Sequence, residues 1–553
     1  MQSRMVILFS LLASLGLISC VAKPPHLPPQ SPIVKEGAIG STLSPMPSDP
    51  PLQSPIVKEK EKAINGTLSP MPLPYLSQPI NRENYAPLTT NPINKVSEQP
   101  ISTFSIDVDT GAYANVRRIL NQGSLPPADA VRVEEMLNYF DYDYPTPSTL
   151  DPPFQVTTEI GPTPWNENTY LLQIGIKGYD TPKTQLPPAN LVFLVDVSGS
   201  MASSDKLDLL KSALKLLIQQ LTAQDRVSLV VYAGAAGLVL EPTPGNEVNQ
   251  IKAALERLTA GGSTNGGEGI QLAYAVAQQA FINNGINRVL LATDGDFNVG
   301  IVDFAALKDF VTAKRKTGIS LTTLGFGKGN YNDALMEQLA DAGNGNYAYI
   351  DTLNEAQKIL VDEIASTLQI IAKDVKIQIE FNPQNVAEYR LIGYENRLLN
   401  REDFSNDKVD AGEIGAGHTV TALYEIALVG SSGERIAGLR YQPAATTPPI
   451  SIHGDELALL RLRYKAPNED HSKLLESAIS QSTIIKTLTT TSERFRFAAA
   501  VAAFGQQLRG GTYLGQFTYD DILNLAQSAR GRDPFGYRSE LINLVKLAQA
   551  LSS

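Results

Sequence analysis

The chain has 553 residues, of which 43% are hydrophobic, and this length allows several folded domains. Its 57 acidic residues outnumber its 46 basic residues, which gives a formal net charge of −11 and a pI near 5.1. No basic stripe runs along the sequence, so the composition argues against nucleic-acid binding. The single cysteine, Cys20, excludes a scaffold held by disulfide bonds within the chain.

The first 19 residues have the pattern of a secretory signal peptide. Arg4 is the only early charge, and the apolar stretch from Met5 to Ser19 is short for a membrane span. The stretch ends in Leu17-Ile-Ser-Cys20, which resembles the lipobox of bacterial lipoproteins. The resemblance implies that Cys20 carries lipid and anchors the protein to a membrane of the cell envelope, facing the periplasm or the exterior. An ordinary signal peptide with an incidental cysteine is the alternative.

Residues 20–100 are predicted to form a disordered tether rich in proline and serine. The tether contains an internal repeat, because Ser31-Pro-Ile-Val-Lys-Glu36 returns as Ser54-Pro-Ile-Val-Lys-Glu59, and Thr42-Leu-Ser-Pro-Met-Pro47 returns as Thr67-Leu-Ser-Pro-Met-Pro72. Two copies are too few for a repeat fold, and proline at this density favours extended polyproline II. We interpret the stretch as a spacer between the membrane and the folded part.

Folded structure is predicted to begin near Ser102, in a segment that spans residues 101–150. The cluster Asp107-x-Asp109-Thr110 does not have the spacing of the phosphatase motif that it approaches, so we interpret it as a strand end and a helix cap. The elements predicted for this segment are a strand at 102–110 and helices at 113–122 and 130–140.

The stretch Leu191-Val-Phe-Leu-Val-Asp-Val-Ser-Gly-Ser200 carries the clearest signal in the chain. A strand that is apolar throughout is typical of a central parallel strand covered on both faces. The turn that follows places Asp196, Ser198 and Ser200 at the carboxyl end of this strand, where open α/β sheets bind ligands. Carboxylate and hydroxyl oxygens are hard donors, which suit Mg²⁺, Mn²⁺ or Ca²⁺.

Two later segments extend this set of oxygen donors: a glycine-rich loop offers Thr264, and the predicted strand at 288–294 ends in Asp294. The pattern resembles the metal-ion-dependent adhesion site of von Willebrand factor type A domains. Matched position by position, that site falls on Asp196, Ser198, Ser200, Thr264 and Asp294. The resemblance implies that the hydroxyls touch the metal, that the aspartates act largely through water, and that a carboxylate of a protein partner takes the last position.

The surrounding residues 189–372 have the element order of a doubly wound α/β domain with a mostly parallel sheet. Leucines recur at spacings of three and four from Leu207 to Leu221, which predicts an amphipathic helix. Short strands at 226–233 and 237–241 are predicted to form an antiparallel edge. The remaining predictions are helices at 247–258, 268–282, 303–316, 332–341 and 353–371, and strands at 318–326 and 346–350.

The regions on either side of this domain are predicted to pair in space as one β-sandwich, into which the α/β domain is inserted. Residues 471–553 are predicted to be helical, and the alanine-rich stretch Phe495–Phe504 is interpreted as a tightly packed core helix. The predicted sandwich strands lie at 154–160 and 170–176 within residues 151–188, and at 374–381, 387–395, 418–429 and 456–464 within residues 373–470.

Two strings outside the α/β domain resemble the N-terminal segment of a subfamily of bacterial von Willebrand A lipoproteins. They are STFSIDVDTGAYANVRR, which begins at Ser102, and VRVEEMLNYFDYDYP, which begins at Val131. In that subfamily the carboxyl-terminal domain has no assigned function, so the resemblance adds an expected architecture and no activity.

Three functions are compatible with these features. The first is a lipid-anchored module that binds a protein partner through the metal, and the second is a structural subunit of an envelope assembly whose metal holds its loops. The third, a metal-dependent hydrolase, ranks last because no general base is visible beyond the metal aspartates. The turn Gly325–Asn330 departs from the dinucleotide fingerprint, and we interpret it as a strand-to-helix turn. The four histidines lie far from the metal motif in sequence; they are His26, His418, His453 and His471.

We therefore expect a binding protein and not an enzyme.

Overall fold

The structure is a computed structural model, and it describes residues 82–295, 304–438 and 453–552. The predicted signal peptide, Cys20 and the tether as far as residue 81 lie outside the described residues. In the part of the chain that is described, no helix is long and apolar enough to cross a membrane.

The N-terminal segment contributes short strands and two helices before a long hairpin. Thr110 occupies the cap position of the first helix as predicted, but its side chain makes no cap hydrogen bond; the carboxylate of Glu135 instead accepts from the backbone N–H of Ala112 at 2.7 Å. The elements are β1 (Asn94–Lys95), β2 (Ile101–Ser105), α1 (Gly111–Asn121), α2 (Val133–Asn138), β3 (Phe154–Thr163) and β4 (Asn166–Gly178).

The strands of the α/β domain are β5 (Ala189–Asp196), β6 (Arg226–Tyr232), β7 (Ala236–Pro244), β8 (Ile286–Thr293), β9 (Ser320–Phe326) and β10 (Tyr347–Ile350). They form a six-stranded sheet in the order β10-β9-β8-β5-β6-β7. All neighbours are parallel except β6 and β7, which confirms the predicted antiparallel edge. Every residue of β5 is buried, as expected for a central strand. The helices are α3 (Leu209–Leu217), α4 (Val248–Glu256), α5 (Gly266–Gln279), α6 (Phe304–Arg315), α7 (Asp333–Ala342), α8 (Leu353–Gln357) and α9 (Ile364–Leu368).

The helix predicted at 353–371 is wrong as a single element. A π-helical turn at Lys358–Asp362 separates α8 from α9, and the next strand begins at Ile370. The reason is tertiary pairing: Ile370 and Ala372 form a ladder with a strand that arrives more than forty residues later. The predicted domain boundary after residue 372 therefore falls inside a strand, and the α/β domain passes into the sandwich without a linker.

Two five-stranded sheets form the predicted β-sandwich. Besides β1 to β4, their strands are β11 (Ile370–Phe381), β12 (Val386–Ile392), β13 (Gly412–Gly415), β14 (Thr419–Leu428), β15 (Glu456–Lys465) and β16 (Lys473–Ser480). One has the order β1-β12-β14-β4-β3, and the other has the order β13-β11-β15-β16 with β2 also paired to β11. Apolar side chains from both sheets share one core, for example Ile176 of β4 and Ile377 of β11.

The helical carboxyl-terminal region begins later than predicted, because residues 473–480 form β16 at a sheet edge. Three helices follow: α10 (Glu493–Leu508), α11 (Tyr519–Ser528) and α12 (Tyr537–Ser552). In α10 every side chain from Phe497 to Phe504 is fully buried, so this alanine-rich helix is a core element as expected.

The predicted tether extends too far toward the carboxyl end. Within residues 82–100, Asn91 and Val96 are buried and β1 pairs with β12, so this stretch lies against the folded body. The Asn91 amide donates to the carbonyls of Leu391 and Gly393 at 3.2 and 2.8 Å, a contact that the proline-rich composition does not reveal.

Candidate metal site

Asp196 ends β5 and is fully buried beneath the predicted site. Its Oδ1 accepts a hydrogen bond from the backbone N–H of Ser198 at 2.8 Å. Its Oδ2 accepts from the hydroxyls of Thr293 at 2.8 Å and Tyr232 at 3.2 Å. Burial raises the pKa of the Asp196 carboxyl, while the hydrogen bond from Ser198 acts in the opposite direction. These contacts fix the carboxylate in one orientation.

The hydroxyls of Ser198 and Ser200 lie 3.0 Å apart in the turn after β5. Adjacent oxygens around an octahedral Mg²⁺ lie about 3.0 Å apart, since each is about 2.1 Å from the ion and at right angles to the next. Ser198 is buried and Ser200 is exposed, so the pair joins the protein interior to solvent. The spacing therefore fits two neighbouring ligands of one small divalent ion.

The loop that carries Thr264 is held beside this turn by backbone hydrogen bonds. Gly261 N donates to Val197 O at 2.8 Å, and Gly199 N donates to Gly262 O at 3.1 Å. Gly262 has a φ of +84°, a left-handed conformation that glycine adopts without strain. Thr264 is half-buried, three residues beyond the first of these contacts. The structure thus brings the loop and the Asp196–Ser200 turn together, as the sequence predicts.

Asp294 follows β8 and is fully buried. Its Oδ2 accepts from Lys206 Nζ at 2.8 Å and from Asn330 Nδ2 at 3.1 Å, and Lys206 Nζ also donates to Asn330 Oδ1 at 2.9 Å. Asp294 lies close enough to Asp196 for its charge to raise the pKa of that carboxyl further. Segment 296–303, which follows Asp294, is outside the described residues.

Sequence reasoning missed Lys206 and Asn330. A signal for Lys206 was present, because it lies directly before the predicted amphipathic helix and four residues before Leu210, in register with the apolar face of that helix. The turn Gly325–Asn330 does join β9 to α7 as predicted, but it also forms a wall of the site through Asn330.

The first described residues of the chain lie on this same wall. Arg82 N donates to Gly329 O at 2.8 Å, and Asn84 N donates to Tyr331 O at 2.9 Å. The Glu83 carboxylate accepts from Gly329 N and from Arg118, both at 2.9 Å. The chain that follows the predicted tether is therefore bound directly to the loop that carries Asn330.

A second acidic group lies in the sandwich, where single oxygens of Asp374, Asp410 and Glu413 all fall within 4.8 Å of one another. Two of these carboxylates already have cationic partners, because Lys465 binds Asp374 and Arg315 binds Asp410, each at 2.7 Å. We interpret this group as part of an ion-pair network that fixes the bulge in β11.

The residues after β5 and β8 fit a hard divalent ion better. Together with Thr264 of the glycine-rich loop they offer two carboxylates and three hydroxyls, which are the donors that Mg²⁺ and Mn²⁺ prefer. Two of the hydroxyl oxygens already have the spacing of neighbouring ligands. The assignment of the five residues to a metal stays a prediction. It is supported by the type of the donor atoms and by the 3.0 Å distance between the Ser198 and Ser200 hydroxyls.

Comparison with known protein families identifies the class of the α/β domain. The family model of the von Willebrand factor type A domain matches residues 190–362, so the chain carries such a domain. Models described as "von Willebrand factor" and "Uncharacterized protein YfbK, C-terminal" match residues 79–173 and 366–551. "Uncharacterized protein YfbK" of Escherichia coli (strain K12) is 49% identical over 474 residues, which is 85% of this chain and 81% of that protein. The chain belongs to the YfbK family of bacterial proteins with a von Willebrand A domain.

Other similarities cover less of the chain or are more distant. The magnesium-chelatase 60 kDa subunit of Rhodobacter capsulatus is 36% identical over 112 residues, about 20% of each chain. A solved structure, a von Willebrand factor type A protein from Catenulispora acidiphila, is 16% identical with a TM-score of 0.39, covering 71% of this chain and 89% of that one. Domains of the von Willebrand A class mostly serve in protein–protein interaction and often bind a divalent metal.

Proposed function

We propose that this protein is a lipid-anchored component of the bacterial cell envelope that binds a protein partner through a divalent metal. Asp196, Ser198, Ser200, Thr264 and Asp294 would hold the ion, which when bound would offer a coordination position to a carboxylate of the partner. Cys20 would carry the lipid, and the chain up to residue 81 would connect it to the folded part.

One observation carries the binding part of this proposal: the Ser198 and Ser200 hydroxyls lie 3.0 Å apart at the boundary between the buried Asp196 and solvent. A metal that served only to hold loops together would be best enclosed on all sides. Here Ser200 is exposed, and the neighbouring residues Gly261 to Ser263 of the Thr264 loop are exposed as well. This opening favours a site that presents the metal to a partner.

Metal titration of matched variants tests the site. Asp196→Ala and Asp294→Ala are expected to lose Mg²⁺ and Mn²⁺ binding in isothermal titration, since each removes a negative charge from a site otherwise built of neutral hydroxyls. Asp208→Ala is the control, because Asp208 is an exposed carboxylate close to the site in sequence. Equal metal affinity in all three variants and the native protein would show that the metal lies elsewhere or does not bind.

Cross-linking in intact cells separates binding from a purely structural role. If the site captures a partner, Asp196→Ala loses a cross-linked species that the native protein and Asp208→Ala both form. If the metal only supports an envelope assembly, the same species persists in Asp196→Ala and in cells treated with a chelator. The first outcome supports a binding module, and the second supports the structural subunit.

The anchor is tested independently of the metal. Cys20→Ser is expected to shift the protein from the membrane fraction to the soluble fraction, or to leave its signal segment uncleaved. The physical reason is that acyl chains contribute about 0.8 kcal/mol per buried CH₂, which a serine at this position cannot replace. Processing and membrane retention equal to those of the native protein would refute the lipobox.

A further inference from the structure

The ammonium group of Lys206 lies inside the candidate metal site. Its Nζ is 2.8 Å from Asp294 Oδ2 and 2.9 Å from Asn330 Oδ1, and the side chain is only 8% exposed. A buried ammonium is strongly disfavoured unless it is paired, so these two contacts hold it in place. Lys206 is thus a fixed positive charge beside one of the two predicted metal carboxylates.

The neighbouring loop is shaped to accommodate this side chain. A Cβ atom built on Gly327 would lie 2.3 Å from both Cγ and Cε of Lys206, and Gly327 has a φ of +76°. The Gly327 carbonyl accepts a hydrogen bond from the hydroxyl of Tyr349, which holds the glycine backbone in position. Any larger residue at 327 would displace the lysine stem, so the loop and Lys206 form one arrangement.

The charges of the site then determine what it can bind. Asp196 and Asp294 carry two negative charges and Lys206 offsets one of them. With a divalent ion bound, the site has one net positive charge, whereas without Lys206 it would be neutral. We infer that Lys206 is a specificity-determining residue: it weakens binding of the metal alone and makes the loaded site select an anionic group, such as a carboxylate, on the partner. This inference rests on the proposed function, because it concerns the same site.

Replacing the ammonium with an uncharged side chain of similar length tests the inference. Lys206→Met is expected to bind Mn²⁺ at least about tenfold more tightly in isothermal titration, since unit charges a few Å apart interact strongly even at an effective dielectric of about 20. Acetate serves as the anionic probe: it should raise the Mn²⁺ affinity of the native protein and raise that of Lys206→Met less. Lys211→Met is the matched control, because Lys211 donates to the backbone carbonyl of Leu258.

A second variant keeps the inference testable if Lys206→Met does not fold. Asn330→Asp leaves Lys206 in place and adds a carboxylate against its ammonium, so it should also bind Mn²⁺ more tightly than the native protein. Unchanged or weaker Mn²⁺ affinity in Asn330→Asp, or in a folded Lys206→Met, overturns the inference. An equal acetate effect in Lys206→Met and the native protein overturns the anion-selection part.

Titration of Asp196→Ala in parallel distinguishes failure of the inference about Lys206 from failure of the proposed function. If Asp196→Ala loses Mn²⁺ binding while Lys206→Met and Asn330→Asp bind as the native protein does, the metal site stands and only the role of Lys206 is wrong. If Asp196→Ala binds Mn²⁺ as well as the native protein, or the native protein binds none, the proposed site and this inference both fail.

Discussion

Arg132 and Lys206 are both buried cations that bind carboxylates of the α/β domain, yet their surroundings differ. Arg132 contacts three carboxylates, those of Glu135 at 2.9 Å, Asp333 at 2.5 Å and Glu337 at 2.8 Å, all of them buried. Lys206 contacts one carboxylate, that of Asp294, and one amide, that of Asn330. The first arrangement, which we call the Arg132 cluster, joins α2 to α7, while the second belongs to the candidate metal site, whose Ser200 is exposed.

A further cluster lies where β10 ends and α8 begins. Arg117 of α1 binds Asp351 and Glu355 at the start of α8, and it also contacts Glu540 of α12 at 3.0 Å. The hydroxyl of Tyr139 donates to Glu355 at 2.7 Å. Two clusters therefore attach the α/β domain to the N-terminal and carboxyl-terminal regions. The comparison teaches that fully paired buried charge fixes the domain to its neighbours, whereas the turn after β5 stays open to solvent at Ser200.

The largest expected effect comes from breaking the Arg132 cluster. Arg132→Met leaves Glu135, Asp333 and Glu337 buried without their shared cation, which should lower the free energy of unfolding by about 3–5 kcal/mol. Urea unfolding followed by circular dichroism measures it. Arg226→Met is the control, because the Arg226 guanidinium donates to the backbone carbonyls of Ala223 and Asp225. A loss below about 1 kcal/mol in Arg132→Met would contradict the structural role of the cluster.

The same region should make stability depend on pH. Burial raises the pKa of Glu134, also in α2, to about 8, and the nearby Glu395 acts in the same direction. The folded state then holds a proton that the unfolded state releases near its ordinary pKa of about 4.3. Stability is therefore expected to fall as the pH rises from about 4.3 through 8.

Glu134→Gln, which is uncharged throughout, should flatten this dependence and raise the free energy of unfolding at pH 8 by about 1–3 kcal/mol. An equally steep pH profile in the variant would contradict the prediction.

The sequence predicted the α/β domain well because its signals are local. The apolar run of β5 and the leucine spacing of α3 each lie within one element. Asp196, Thr264 and Asp294 belong to three segments, but each is recognised from the strand end or glycine-rich loop that carries it. The sandwich was also predictable from alternating strands on both sides of the domain. Where prediction failed, a distant partner decided the outcome: β11 begins at Ile370 because it pairs with β13, and residue 96 is buried because β1 pairs with β12.

The candidate site divides along the same line. Its oxygen donors follow strand ends and form a readable motif, whereas Lys206 and Asn330 reach Asp294 from separate elements through tertiary contacts. The Arg132 cluster could not be predicted either, because Asp333 lies about 200 residues from Arg132 in sequence. Charge pairs between distant elements have no fixed spacing, so one sequence shows the charges and not their partners.

A smaller effect is expected where the N-terminal stretch meets the site. Glu83→Ala removes the acceptor of Gly329 N and the partner of Arg118, which should lower the free energy of unfolding by about 1–2 kcal/mol. Hydrogen exchange is the more specific measurement, because the Gly329 amide should exchange faster while amides of β5 do not change. Glu98→Ala, at an exposed position of the same stretch, is the control. Unchanged exchange at Gly329 would show that Glu83 does not hold this loop.

The smallest effect on folding is expected in the solvent-exposed turn after β5. The Ser200 side chain is exposed and its hydroxyl contacts only the Ser198 hydroxyl among the described contacts, so Ser200→Ala should change the free energy of unfolding by less than about 0.5 kcal/mol. Mn²⁺ affinity should nevertheless fall at least about tenfold, because the variant removes one of the two hydroxyls spaced as neighbouring ligands. Urea unfolding in the presence of EDTA gives the free energy of unfolding, and isothermal titration gives the Mn²⁺ affinity.

In Arg132→Met the opposite pattern is expected, with a large loss of stability and unchanged Mn²⁺ affinity under conditions where the protein remains folded. If Ser200→Ala lost stability and Mn²⁺ affinity together, the turn after β5 would be part of the structural framework. The distinction between the buried charge clusters, which hold the fold, and the exposed turn, which binds the metal, would then not hold.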